Sequence, residues 1–175
     1  MFGFLRRRAA LPGALKPSLE PEERILAWSA VEEAALVVTN RGIWLPGADA
    51  RLGWHEIHKV AWSGRELRIT PAEVTGERNG YTVLSDGPVV SYLLLEPGEV
   101  PDQVRTRVTR SVAYTSHHGL PQGGVRVVGR RVSGRDGLSW AVRYDEGTPS
   151  DRPEIADATD AVVTVARTSA AAPGR

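Results

Sequence analysis

Val100-Pro101-Asp102-Gln103-Val104-Arg105-Thr106-Arg107-Val108-Thr109-Arg110-Ser111-Val112 is the stretch on which the fold turns. Valine recurs at every fourth position, with Arg105, Arg107 and Arg110 between. That spacing places the valines along one side of a helix. Pro101 suits a first turn, where its missing N–H forfeits no intrahelical bond. The pattern predicts an amphipathic helix over residues 101–112 with one valine stripe buried. Valine is a mediocre helix former, so this helix needs a surface to pack on.

The residues before it supply that surface. Short apolar runs at 24–28, 35–39, 43–45, 58–62, 66–70, 81–84 and 89–95 read as seven strands in meander spacing. Leu67 and Ile69 alternate with Glu66 and Arg68, the period of a half-buried strand. Asn40-Arg41-Gly42, Ser63-Gly64-Arg65 and Asn79-Gly80 supply the turns between runs. Beyond the helix, Val125–Val132 and Leu138–Tyr144 flank Ser133-Gly134-Arg135-Asp136-Gly137 and predict a β-hairpin. A last segment opens at Ser150-Asp151-Arg152-Pro153 with helix-start residues. Ile155, Ala158, Val162 and Val165 are its expected buried face, although 161–166 alone also suits a strand.

The strand order and helix resemble a bacterial pleckstrin-homology-like (PH-like) domain over residues 19–114. Pro21-Glu22-Glu23-Arg24-Ile25-Leu26-Ala27 resembles the entry to the first strand of such domains. Leu36-Val37-Val38-Thr39-Asn40-Arg41-Gly42-Ile43 is similar to their strand, threonine, turn and next strand. Trp54-His55-Glu56-Ile57-His58-Lys59-Val60 is similar to the segment that begins the second sheet. The resemblance implies an α+β fold: a seven-stranded β barrel or sandwich capped by one helix. Residues 115–167 then form a β-hairpin and helix extension, 1–18 a flexible leader and 168–175 a disordered tail. Such folds serve lipid, peptide and scaffold functions alike, so the resemblance names no ligand. Phosphoinositide sites of the family use a basic first hairpin. Here residues 28–44 offer Arg41 beside Glu32 and Glu33, which departs from that pattern.

Composition narrows the chemistry. The chain's 175 residues suit one domain with an appendage, long enough to bury a core. Cysteine is absent, which excludes disulfides, thiolate nucleophiles and cysteine-ligated zinc. The N-terminal Arg6-Arg7-Arg8 follows its apolar residues rather than preceding them, unlike a secretory signal. A cytoplasmic location is therefore expected. Phe2, Phe4 and the three arginines make a weak membrane-surface patch, with a solvated terminus the plainer reading. Twenty of the 22 basic residues are arginine beside abundant alanine, glycine and valine, as GC-rich bacterial coding would give.

No catalytic constellation stands out. His55-Glu56-Ile57-His58 spaces its histidines by three rather than the four a zincin helix requires. His117 and His118 are adjacent, and adjacent strand residues point to opposite faces. No Gly-x-Ser-x-Gly elbow, phosphate loop or dinucleotide fingerprint is present. Carboxylate pairs at Glu22/Glu23, Glu32/Glu33 and Asp145/Glu146 sit at predicted turns. The sequence thus leads to no catalytic residue, no metal site and no cofactor. Trp28, Trp44, Trp54, Trp62 and Trp140 are expected in or near the core, with Trp54 the one to check for exposure.

Charge order is the unusual feature. Residues 101–135 carry a net +6 and residues 136–160 a net −5, within a chain of net +1. Arg105, Arg107, Arg110, Arg126, Arg130 and Arg131 are the candidate binding residues for an anionic partner. The plain alternative is that the two regions neutralise each other. The sequence therefore predicts a non-catalytic binding or scaffolding module of a bacterial cytoplasm, with an unidentified protein partner. A nucleic-acid-binding protein using the arginines of 105–131 is the first alternative. A small enzyme with scattered His and Asp/Glu residues is the second. Pairing of chains through a free edge of the C-terminal hairpin is a third.

Overall fold

Alternating apolar residues build two sheets in the computed structural model, which describes residues 9–172. The first holds β1 (Ile25–Val31), β2 (Ala34–Thr39), β3 (Gly42–Trp44) and β4 (Leu52–Gly53), antiparallel in that order. Local side chains set its turns. Thr39 Oγ1 accepts from the Gly42 N–H at 3.2 Å, and Asn40 Oδ1 accepts from the Arg24 N–H at 2.8 Å. A 3-10 turn at Trp54–Glu56 then leads into the second sheet.

That sheet has seven strands: β5 (Ile57–Trp62), β6 (Glu66–Arg78), β7 (Tyr81–Asp86), β8 (Val90–Leu93), β9 (Val112–Gly119), β10 (Gly124–Arg131) and β11 (Leu138–Tyr144). Its order is β5-β6-β7-β11-β10-β9, with β8 also on β6, and it curls into a half-barrel. The long β6 is the pivot. Leu67–Pro71 pairs with β5, Glu66–Ile69 with β8, and Ala72–Arg78 with β7. Asn79-Gly80 makes the β6–β7 turn, where Gly80 has φ +89°, a conformation glycine adopts without steric cost. β7 then runs parallel to β11.

Helix α1 (Val100–Ser111) packs against β1, β2 and β5. Val100 and Val104 are fully buried and Val108 partly so, which satisfies the requirement set by the valine spacing. Leu36, Val38, Ile43, Trp54, Ile57, Leu67, Ile69 and Leu94 complete this core. The Leu95 N–H donates to Ala30 O at 3.2 Å, joining the two sheets at one corner. The whole is a mixed α+β structure compatible with a PH-like fold.

Three features differ from expectation. The runs before residue 96 do not form one sheet system, because β7 turns away to join the C-terminal hairpin. Its partner β6 runs on past Pro71, which faces Ile57 where the β5 ladder is irregular and lacks nothing by having no N–H. Val112, expected in the helix, and residues 113–119, left unassigned by the sequence, form β9 directly after α1. The C-terminal hairpin has no free edge, since β11 pairs with β7 and β10 with β9. That removes the hairpin edge as a route to chain pairing.

Helix α2 (Pro153–Ala171) covers the convex face of the half-barrel and reaches four residues into the stretch expected as tail. Its buried residues are Ile155, Thr159, Val163 and Ala166, whereas Val165 is 62% exposed. Of the expected stripe, Ile155 is buried and Ala158 and Val162 are half-buried, while Val165 faces out and the polar Thr159 takes a buried place. Its hydroxyl donates to Ile155 O at 2.7 Å and accepts from the Tyr144 hydroxyl at 2.9 Å. No helix among the described residues is long and apolar enough to cross a membrane. Phe2, Phe4, Arg6, Arg7 and Arg8 lie outside the described residues.

Candidate functional site

Strand alternation gives the half-barrel two unlike faces. Tyr81, Val125, Val127 and Val142 are buried on the convex side against Val163 and Ala166 of α2. The alternate residues Thr82, Leu84, Arg126, Val128, Ala141 and Arg143 turn to the concave side and line a cavity of about 470 Å³. Ala72 and Val74 from β6 and Val112 and Thr115 from β9 widen the walls. His55, Glu56, His58 and Arg130 also contribute to the lining. Small-molecule sites run to about 300–1,000 Å³, so this one is large enough to matter.

Register arranges the lining in rungs. Arg126 faces Arg143, Val128 faces Ala141, and Arg130 faces Ser139 across the β10–β11 ladder. On the other side of β10, Val128 faces Thr115 and Arg130 faces Val112. An apolar rung therefore lies between two cationic ones. Successive rungs on one face are about 7 Å apart.

The charged groups are unequally paired. Arg130 Nη1 donates to Ile57 O at 2.9 Å, Ser111 Oγ at 3.2 Å and Trp54 O at 3.3 Å. These bonds tie β10 to the start of β5 and the end of α1, so Arg130 clasps the half-barrel across its opening. No carboxylate pairs with it among the described residues. Burial, then the nearby Arg143, lowers its pKa, yet a guanidinium remains charged at any ordinary pH. Arg126 donates to Thr115 Oγ1 at a long 3.4 Å and meets no carboxylate among the described residues.

Asp86 forms the opposite arrangement. Its carboxylate accepts from Arg143 at 2.6 Å and Lys59 at 3.1 Å, and pairs with His58 Nδ1 at 2.9 Å. The His58 bond, helped by Lys59 and Arg143, holds it below the usual carboxylate range. Burial pushes His58 and His55 below the ordinary histidine value, against Asp86 and Glu56 respectively. Both rings are neutral at neutral pH. An ionised Asp86 only accepts, so His58 Nδ1 carries the hydrogen and Nε2 is left as an acceptor.

The six arginines singled out by sequence do not share one surface. Arg126 and Arg130 line the cavity, while Arg105 and Arg110 are exposed on α1. Arg107 is half-buried there, with Nε sealed from solvent and unbonded. Arg131 donates to Arg110 O at 2.8 Å. Arg143, Asp86 and Ser139 were missed by the sequence reading. The acidic stretch does not neutralise the basic one through ion pairs between its carboxylates and those arginines, among the described residues. Asp160 instead receives Arg78 Nε at 2.8 Å, and Asp145 pairs with His117 at 2.8 Å.

The remaining candidates fall into structural roles. Trp54 is 3% exposed, with its indole N–H donating to Thr39 O at 3.2 Å. His118 bonds Ser116 Oγ at 2.8 Å, on the opposite side of β9 from His117. No cluster of three or more His, Asp or Glu side chains is placed to hold a metal ion among the described residues. Comparison with protein-family models, curated proteins and solved structures finds no match for this chain.

Proposed function

We propose that this chain is a non-catalytic binding module, PH-like over residues 19–114, whose ligand sits in the concave face of the half-barrel. The single observation that carries the reading is a cavity of about 470 Å³ with Arg126 and Arg130 in its lining and no carboxylate on either among the described residues. Arg130 is half-buried and held by Ile57 O, Ser111 Oγ and Trp54 O, while Arg126 is exposed at the cavity wall and open to an anion entering there. The split of the arginines between cavity and helix favours a small ligand over a long polyanion. A bacterial cytoplasmic setting belongs to the same reading.

A thermal-shift screen of small organic anions, cations and neutral compounds tests it. The expected result is stabilisation by some members, abolished in a Val128→Trp variant that fills the cavity. Stabilisation unaffected by Val128→Trp places the ligand elsewhere and defeats the reading.

An enzyme is the second reading, favoured by one observation. Neutral His58, oriented by Asp86 at 2.9 Å, lines the same cavity and has the form of a general base. A ligand that is turned over by the wild type and merely bound by His58→Gln would establish it.

A further inference from the structure

Resting on the concave face as the ligand seat, we infer that its ligand is a small amphipathic monoanion, its anionic head between Arg126 and Arg143 and its apolar body on Val128, Ala141, Leu84 and Val74. Arg126 and Arg143 are direct cross-strand partners with both side chains on the concave face. Like charges placed opposite each other on a sheet are destabilising. The carboxylate of Asp86 relieves only Arg143, and it is already shared with His58 and Lys59. An anionic group at this rung would give Arg126 its missing partner.

Charge balance limits how much anion the site takes. The lining holds Arg126, Arg130 and Arg143 against Glu56, with Asp86 bonded alongside Arg143. With Lys59 also on Asp86 and both histidines neutral, two positive charges remain, one of them on Arg130, whose guanidinium is occupied by Ile57 O, Ser111 Oγ and Trp54 O. A single carboxylate or comparable head matches Arg126, the arginine of the rung with no carboxylate among the described residues, whereas a phosphate chain brings further negative charge beside Glu56 and Asp86. Glu56 is fixed in place, its Oε2 accepting from the Gly53 N–H at 2.7 Å. The rest of the cavity is greasy. Val128 and Ala141 form the rung next to the arginines, and Val74 is 55% exposed at the wall. An apolar body lying there removes that surface from water.

Isothermal titration of the full chain with octanoate and with 1-octanol tests this, alongside Arg126→Gln and Val128→Trp variants whose folding is checked by thermal melting. Octanoate is expected to bind about tenfold or more tightly than octanol, the usual worth of a charge-assisted hydrogen bond. Arg126→Gln is expected to weaken octanoate by a similar factor and leave octanol unchanged. If both ligands bind wild type equally, ignore Arg126→Gln and are lost in Val128→Trp, the anionic head is overturned and the cavity reading survives. If neither binds, or Val128→Trp leaves binding intact, the cavity reading falls and the inference with it. Displacement of octanoate by a single-stranded oligonucleotide at low salt overturns the monoanion in favour of nucleic acid.

Discussion

The two inner faces of this protein are made by the same period-two alternation and end up opposite in character. Inside the first, Leu36, Val38, Ile43, Ile57, Leu67 and Ile69 are wholly buried. Inside the second, the half-barrel's concave side, Arg126, Ser139 and Val74 stay exposed around open space. The difference lies in where each helix sits. Helix α1 lies over the first interior and fills it with Val100 and Val104. Helix α2 lies on the back of the second sheet, so neither helix among the described residues fills its front. A strand pattern predicts a face, and the helix position decides whether that face becomes core or receptacle.

The contrast can be broken by substitution. Ile69→Ala in the filled interior should cost about 2–5 kcal/mol in urea unfolding, the range for a buried isoleucine leaving a cavity. A loss well under 1 kcal/mol would mean the interior is not tightly packed. Arg130→Met should cost about 1.5–3 kcal/mol, because Ile57 O, Ser111 Oγ and Trp54 O lose a charged donor. An unchanged midpoint would show that Arg130 is not a clasp. Arg126→Gln should instead stabilise by about 0.2–1 kcal/mol by relieving the Arg143 pair. Destabilisation there would point to a partner for Arg126 that compensates it.

His55 and His58 are held below their ordinary value of 6.5, chiefly by burial. The folded state therefore binds fewer protons than the unfolded chain as pH drops through that value. Their contribution to stability is complete above about pH 6.5 and is lost progressively below it. Glu56, Arg130 and Arg135 act on His55, and Asp86, Arg143 and Arg130 on His58. Unfolding free energies between pH 7.5 and about 5 should fall, and His58→Gln should flatten the decline. A flat wild-type profile across that range would remove the histidines from the stability balance.

Much of the fold was legible because its signals are local. The valine stripe found α1 within a residue, and Asn79-Gly80 and Ser133–Gly137 found their hairpins. The partner of β7 was not legible, because a parallel pairing with β11 joins residues some 60 positions apart and leaves no turn between them. Nor was β9, where Ala113-Tyr114-Thr115-Ser116-His117-His118 alternates in burial without alternating strongly in hydrophobicity. At the site, Arg126 and Arg130 were singled out for their charge alone. Arg143 was within reach of the same sequence. Once the hairpin ends are set at Arg131 and Leu138, counting back along both strands brings Arg143 opposite Arg126. What no local signal holds is the curl of the sheet, which makes a row of side chains into a pocket.

The seam between β7 and β11 rests on two register pairs, Ala141 with Thr82 and Val142 with Val83. During synthesis, every residue named in the first hydrophobic interior has been made by Val108. The receptacle has no such early form, since Ser139, Ala141 and Arg143 are translated long after the opposing wall. Its assembly waits on β11.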